Sequence, residues 1–397
     1  MGARTLRVAR ARRHLATTVG TTLALTFLVP ASAHASPATH GRAGGPQAAI
    51  GGAQLASRGL VVDPGAPALP GGLTASAWVV ADLDTGAVLA ARDAHGRYAP
   101  ASTIKTLTAT TLIPRLSPRS KVTATFDDVN VPGSKVGLVP DNAYSVGSLL
   151  RAMLVVSAND AANTLASAAG GMHKTVFLMN ETARALGAWD TVARNPSGLD
   201  AAGQTSSPYD LALISRAGLR MHDFAGYVAT KRSFINAPGG KRFEIYTHNK
   251  LLRNYPGAFG VKNGYTVRAR ASFVGAAARN GHRLVVALMH GDPYVWHDAR
   301  ALLDWGFAAV DRIAPVGTLV DAAPDAAPVT EDAQLPPRAS AQRASSLSPA
   351  AAPRMLTREL VEVLSLVLLA LLLIALRVRA RRRMYFAPSR LKLPPLR

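Results

Sequence analysis

Apolar residues fall into distinct patterns along the chain. Trp78-Val79-Val80-Ala81-Asp82-Leu83 and Ala87-Val88-Leu89-Ala90 flank Asp84-Thr85-Gly86, which predicts strand, turn and strand, with Gly86 supplying the tight-turn backbone. The helical period takes over in the middle, near residues 148–168, 174–186 and 208–221. Strand-like runs return at 271–278 and 283–290 around Arg279-Asn280-Gly281-His282, a hairpin turn, and a last helix is predicted over 297–310. Strands at both ends with helices between them imply an α/β unit over residues 75–312, one antiparallel sheet built from N- and C-terminal strands beside a helical lobe.

Outside that unit the pattern changes twice. Residues 36–74 and 313–356 are rich in Ala, Pro, Gly or Ser without a sustained period, and predict a flexible leader and a disordered tether. A coil of about 43 residues reaches roughly 35 to 40 Å. Residues 1–35 carry Arg4, Arg7, Arg10, Arg12 and Arg13, an apolar run and Ala33-His34-Ala35, the layout of a signal peptide cut after Ala35. Residues 360–376 are almost wholly aliphatic and predict a membrane-spanning helix of about 26 Å, short but workable. The basic tail 377–397 that follows predicts a single pass with everything before the helix outside the cell.

This layout changes the meaning of the formal charge of +21. The five arginines before residue 36 and the seven arginines and one lysine after residue 376 have no acid beside them, which leaves +8 for the rest. Much of the basicity is therefore topological, and no nucleic-acid partner is expected. The absence of cysteine excludes disulfides and thiol catalysis. His173, His248, His290 and His297 lack metal-ligand spacing, so no cofactor is expected.

Three short motifs follow in order: Ser102-Thr103-Ile104-Lys105, Ser157-Ala158-Asn159 and Lys262-Asn263-Gly264. Each alone has an ordinary reading, as a helix cap with a solvated lysine, a polar turn and a basic edge residue. Together they support one site. If Ser102 opens a helix, Lys105 lies one turn on along the same face, and desolvation with a second cation such as Lys262 makes it a base for the serine. Ser157 and Asn159, two apart on a short loop, can relay a proton and hold a substrate amide. Gly264 lets a substrate backbone approach a strand edge, where Lys262 supplies positive charge to a terminal carboxylate.

These motifs resemble the penicillin-binding protein and serine β-lactamase superfamily, and the similarity is greatest to low-molecular-mass D,D-carboxypeptidases of the peptidase S11 type. It runs from about Trp78 to Phe307, through Arg97-Tyr98-Ala99-Pro100-Ala101-Ser102, Ser157-Ala158-Asn159-Asp160-Ala161-Ala162, Met179-Asn180, Asn195-Pro196-Ser197-Gly198-Leu199-Asp200 and Leu303-Asp304-Trp305-Gly306-Phe307. The resemblance implies the β-lactamase/D,D-peptidase fold and removal of the terminal D-alanine from peptidoglycan stem peptides ending D-Ala-D-Ala. β-Lactams are then expected as covalent inhibitors. It further implies Ser102 as nucleophile, Lys105 as its base, Ser157 and Asn159 as the second motif and Lys262 as the third. Asn263, Gly264, Tyr265 and Thr266 would bind substrate, with the N–H groups of Ser102 and Tyr265 as oxyanion hole.

The chain departs from the family pattern in three places. Asn263 stands where the third motif usually has threonine, Gly291-Asp292-Pro293 where many relatives have an arginine, and a tether where a small β-domain is usual. Arg268 is the candidate this leaves for anchoring the carboxylate. The alternatives are a β-lactamase-like hydrolase, for which Glu181 and Glu244 are the glutamates between the second and third motifs, and a catalytically weak wall-binding or regulatory protein.

Overall fold

A computed structural model describes residues 49–321. Strands β1 (Leu60–Val62), β2 (Ala77–Asp82) and β3 (Ala87–Arg92) open the domain. Between β2 and β3 the Asp82 carboxylate accepts from the Asp84 and Thr85 amides and the Thr85 hydroxyl, while Gly86 takes φ 82. Asp82 thus satisfies the turn's donors, and glycine makes its left-handed step at no steric cost.

A 3-10 turn (Ala101–Ile104) leads into α1 (Lys105–Leu112), after which β4 (Lys121–Thr123), α2 (Phe126–Val129) and β5 (Ala143–Ser145) form a small flap. The helical lobe continues with α3 (Val146–Val155), α4 (Asn159–Ala168), α5 (Met172–Ala185), α6 (Pro208–Leu219) and α7 (His222–Val228). Ser145 and Ser207 cap α3 and α6 with their hydroxyls, and Pro208 occupies the first turn of α6. A two-stranded hairpin of β6 (Arg232–Asn236) and β7 (Arg242–Tyr246) and the short α8 (Lys250–Asn254) precede the final strands. These are β8 (Ala258–Thr266), β9 (Arg270–Arg279) and β10 (His282–Gly291), followed by α9 (Trp296–Ala309) and β11 (Gly317–Thr318).

The main sheet runs β1-β3-β2-β10-β9-β8, with β11 also on β3, and every pairing is antiparallel. The chain's early strands thus meet its late ones at the β2/β10 pair, as expected. Asn280 and Gly281 take φ 51 and 85 in the β9–β10 turn, the paired left-handed conformations a two-residue hairpin needs. Alternate residues explain why β2 is buried along its whole length. Val79 and Ala81 enter the core of the helical lobe, while Trp78 and Val80 enter a second core under α9. The sheet is the middle of three layers, and a strand buried on both faces loses the polar alternation of a half-exposed one.

Two sequence expectations need correcting. The described part of the leader, residues 49–74, packs onto the domain: β1 pairs with β3, Leu55 is fully buried, and the Pro67 carbonyl accepts from Trp305 Nε1 at 2.9 Å. The Asp298 carboxylate then binds the Thr74 and Ala75 amides at 2.7 and 2.9 Å. Residues 313–321, expected to begin the tether, place β11 on β3, and the buried Arg216 donates to the carbonyls of Leu83 and Leu319. Both segments are held by backbone groups meeting distant side chains, which leaves no period in their own sequence.

Likewise, the helical stretch expected over 148–168 is two helices. Ser157, at φ 62, breaks it. Among the described residues no helix is long and apolar enough to cross a membrane. The expected signal peptide (1–35), spanning helix (360–376), basic tail (377–397) and remaining parts of the leader and tether lie outside the described residues.

Candidate active site

The turn before α1 sets Ser102. Pro100 restricts the entry, Ala101 takes a left-handed backbone (φ 48), and the chain then turns directly into helix. The Pro100 carbonyl accepts from Ser272 Oγ of β9 at 2.5 Å and from Thr103 Oγ1 at 2.6 Å, which pins this turn to the sheet. Ser102 and Lys105, three apart, lie on one face, and Lys105 Nζ is 3.0 Å from Ser102 Oγ. The amine also donates to Asn159 Oδ1 at 2.7 Å and to the Ser197 carbonyl. Asn159, the first residue of α4, is fixed in turn by its Nδ2 bond to the Pro132 carbonyl (2.8 Å).

Burial of Lys105, reinforced by the charge of Lys262, pushes its amine well below the usual lysine range, against an opposing pull from Asp160. Lys262 on β8 is as deeply placed, and burial brings it down to about 7. Its Nζ donates to the Asn263 carbonyl at 2.7 Å. The site therefore contains an amine shifted toward its uncharged form in contact with a serine hydroxyl, the pairing a nucleophilic serine requires.

The first motif and Asn159 converge directly. Ser157 lies on the adjoining turn, buried, and among the described residues its hydroxyl makes no hydrogen bond. Gly264 faces the nucleophile: a Cβ there would stand 2.6 Å from the Ser102 amide nitrogen. Thr266 Oγ1 donates to Asp200 Oδ1 at 2.8 Å, joining the end of β8 to the loop that carries Ser197. Asn263, Gly264 and Tyr265 line a cleft of about 260 Å³ along β8, the edge strand of the sheet, together with His248, Lys250, Ser272 and Trp296.

Two further residues contribute to the site, one through its main chain and one through a carboxylate. The first is the Ser197 carbonyl, which accepts from Lys105 and, at 3.4 Å, from Ser102. Its loop is cinched by Asn195 Oδ1, which accepts from Ser197 Oγ and the Gly198 amide, and by Thr108 of α1 on the Pro196 carbonyl. The second is Asp160, whose carboxylate binds the Val136, Gly137 and Leu138 amides at 2.9–3.0 Å and holds the flap that also receives Asn159. An Asn-Pro-Ser-Gly turn and an acid next to Asn159 were the available signals.

The glutamates of the hydrolase alternative lie elsewhere. Glu181 pairs with Arg184 along α5, and Glu244 on β7 pairs with Arg232 at 3.0 Å. Among the described residues one histidine–carboxylate group stands close enough for a metal, His95 with Asp190 and Asp210. There, Nδ1 meets Asp190 at 2.8 Å and Nε2 meets the Ile50 carbonyl at 3.0 Å. Two acceptors call for two N–H donors. Although burial opposes its charge, the Asp190 bond outweighs it and holds His95 above its ordinary range, and the ring ties the N-terminal segment down through both nitrogens.

Most of the described chain is similar to known proteins. The profile of the peptidase S11 family, D-alanyl-D-alanine carboxypeptidase, matches residues 64–292. The chain is 44% identical over 252 residues to the D-alanyl-D-alanine carboxypeptidase DacB2 of Mycobacterium tuberculosis, covering 62% of this chain and 86% of that protein. A crystal structure of the D-alanyl-D-alanine carboxypeptidase from Mycobacterium tuberculosis aligns with a TM-score of 0.63 at 43% identity, over 65% of this chain and 99% of the other. The Streptomyces K15 DD-transpeptidase aligns with a TM-score of 0.58 at 26% identity, over 60% of this chain and all of that one.

Proposed function

Since the chain belongs to the peptidase S11 family of D-alanyl-D-alanine carboxypeptidases, we infer that it removes the terminal D-alanine of peptidoglycan stem peptides through an acyl-enzyme on Ser102. The observation that carries this reading is the 3.0 Å contact between Ser102 Oγ and a lysine amine whose proton affinity is lowered by burial and by Lys262. Lys105 Nζ takes the serine proton as Oγ attacks the carbonyl carbon of the penultimate residue. The oxyanion is received by the Ser102 and Tyr265 N–H groups, and the C–N bond breaks as a proton passes to the leaving D-alanine, with Ser157 as relay. Water then attacks the ester carbonyl, Lys105 takes the water's proton, and it returns that proton to Oγ as the C–Oγ bond breaks. Asn159 holds Lys105 in place and, with the edge of β8, orients the substrate backbone.

Glu181 and Glu244 are each engaged by an arginine, Arg184 and Arg232, which favours a peptidase over a β-lactamase, because neither is free to activate a deacylating water. Penicillin should therefore stay attached. The test is incubation of the purified full chain with a pentapeptide ending D-Ala-D-Ala and chromatographic detection of free D-alanine. Release is expected; none would overturn the reading.

Gly264→Ala is expected to slow penicillin acylation of Ser102 about a hundredfold, the scale for displacing reacting groups by an ångström, with circular dichroism unchanged. The added Cβ would meet Ser102 N at 2.6 Å, Ser272 Oγ at 2.8 Å and Ala101 Cβ at 3.0 Å, so β8 or the nucleophile turn must move. An unaltered rate would count against the close strand approach.

For location, the reading is a cell-membrane protein held by residues 360–376, with the catalytic domain outside. The apolar run and the arginines that follow support it. Protease shaving of intact cells should remove the domain.

A further inference from the structure

The product of this reaction leaves with a carboxylate, and on the reading above that group must be held beside β8 while the adjoining peptide bond is cut. The cations near the cleft are almost all engaged. Lys262 donates to the Asn263 carbonyl (2.7 Å), Arg268 reaches the Ala201 carbonyl (3.5 Å), Arg270 pairs with Asp292, and Lys250 Nζ stands 5.4 Å from the centre of the Tyr294 ring. The remaining imidazole is His248. Its side chain makes no hydrogen bond among the described residues, yet its backbone is fixed, with its N–H donating to the Val155 carbonyl at 3.0 Å beside the turn of Ser157. Asn249 next to it caps α8. His248 lines the same cleft as Asn263, Gly264 and Tyr265, and it lies close enough to Lys262 to feel its charge.

We propose that His248 receives the terminal carboxylate of the substrate and takes up a proton as it does so. This rests on the carboxypeptidase reading. Burial, then the charge of Lys262, keep the free imidazole below its ordinary range. The ionisable groups around it are Lys262 and Tyr265 of β8, Lys250 of α8 and Lys231 before β6, whose carbonyl accepts from the Thr247 amide. The carboxylate nearest the cleft, Asp292 beside Pro293, is paired with Arg270, so among the described residues an arriving carboxylate is the first unpaired anion the ring meets. A buried carboxylate beside an imidazole raises the imidazole's proton affinity, and the resulting charge-assisted bond is stronger than a neutral one. The same arrangement explains how the chain works with Gly291-Asp292-Pro293 where relatives place an arginine.

The test is the pH dependence of KM and kcat for a peptide ending D-Ala-D-Ala, using the full chain as wild type, His248→Ala and His248→Arg. Wild-type KM should climb as pH rises through the imidazole range. His248→Ala should raise KM about tenfold near pH 6 and flatten its pH profile, with kcat changed far less. His248→Arg should restore a low KM and keep it low at high pH, a rescue that a merely structural role would not give. Binding of the peptide acid and of its C-terminal amide to Ser102→Ala by calorimetry completes the set, and the His248→Ala change should weaken the acid alone. An unchanged KM in His248→Ala, or equal weakening of acid and amide, would overturn the proposal. Failure of the wild type to release D-alanine would instead strike at the carboxypeptidase reading, and the calorimetry would still decide the role of His248.

Discussion

Ser102→Ala is expected to lower the rate of D-alanine release by about five to six orders of magnitude, the scale seen when a serine nucleophile is removed from a working site. Among the described residues no other hydroxyl is bonded to Lys105. The Ser197 hydroxyl is turned to Asn195 Oδ1 at 3.0 Å, and Thr103 Oγ1 is bonded to the Pro100 carbonyl. The variant should also fail to retain labelled penicillin, while its melting temperature stays close to that of the wild type, because Ser102 Oγ makes only a 3.4 Å contact with the Ser197 carbonyl beyond its meeting with Lys105. Comparable D-alanine release by the variant, measured with the same peptide, would mean that another residue is the nucleophile.

The next largest effect is expected at Lys105. Lys105→Met should reduce the acylation rate by about three to four orders of magnitude, the upper range for loss of a positioned general base. Its pH behaviour separates this from a packing defect. An amine held below its usual range is a base above its lowered pKa, so wild-type kcat/KM should rise with pH on the acid side and fall as Lys105 becomes protonated. Lys262→Met removes the neighbouring charge and should move that acid limb to higher pH. A limb that stays put would show that Lys262 has no hold on Lys105. The sign for stability follows from the same shifts. The unfolded chain keeps both amines protonated up to the ordinary lysine range, whereas the folded chain does not, so stability rises with pH from the lowered values until that range is reached. For Lys262 this window opens at about 7.

Much of this site was legible because it depends on side-chain identity. Ser102 and Lys105 had to be three apart to share a helix face, and Asn280-Gly281 could do little but turn. The main-chain partners were not legible. A carbonyl such as that of Ser197 has no residue type of its own, and only the loop bonds through Asn195 and Thr108 reveal that it is aimed at Lys105. The domain edges were hidden for a related reason: Pro67, Thr74 and Leu319 are held through backbone atoms by Trp305, Asp298 and Arg216, over separations of 238, 224 and 103 residues. The two-stranded pairs β4–β5 and β6–β7 are mostly exposed, so the alternation in a run such as Arg242-Phe243-Glu244-Ile245-Tyr246 marks no continuous buried face.

The folding-back of β11 has a mechanical consequence. Thr318 N–H donates to the Gly51 carbonyl at 2.7 Å, and Tyr209 Oη donates to the Thr318 carbonyl at 2.8 Å, so the path into the domain and the path out of it touch. Tension applied along the polypeptide at these two points would meet across one short patch beside β3, outside the line joining Ser102 to β8. The domain can then be hauled about by its ends as if by a single handle, and the load bypasses the cleft.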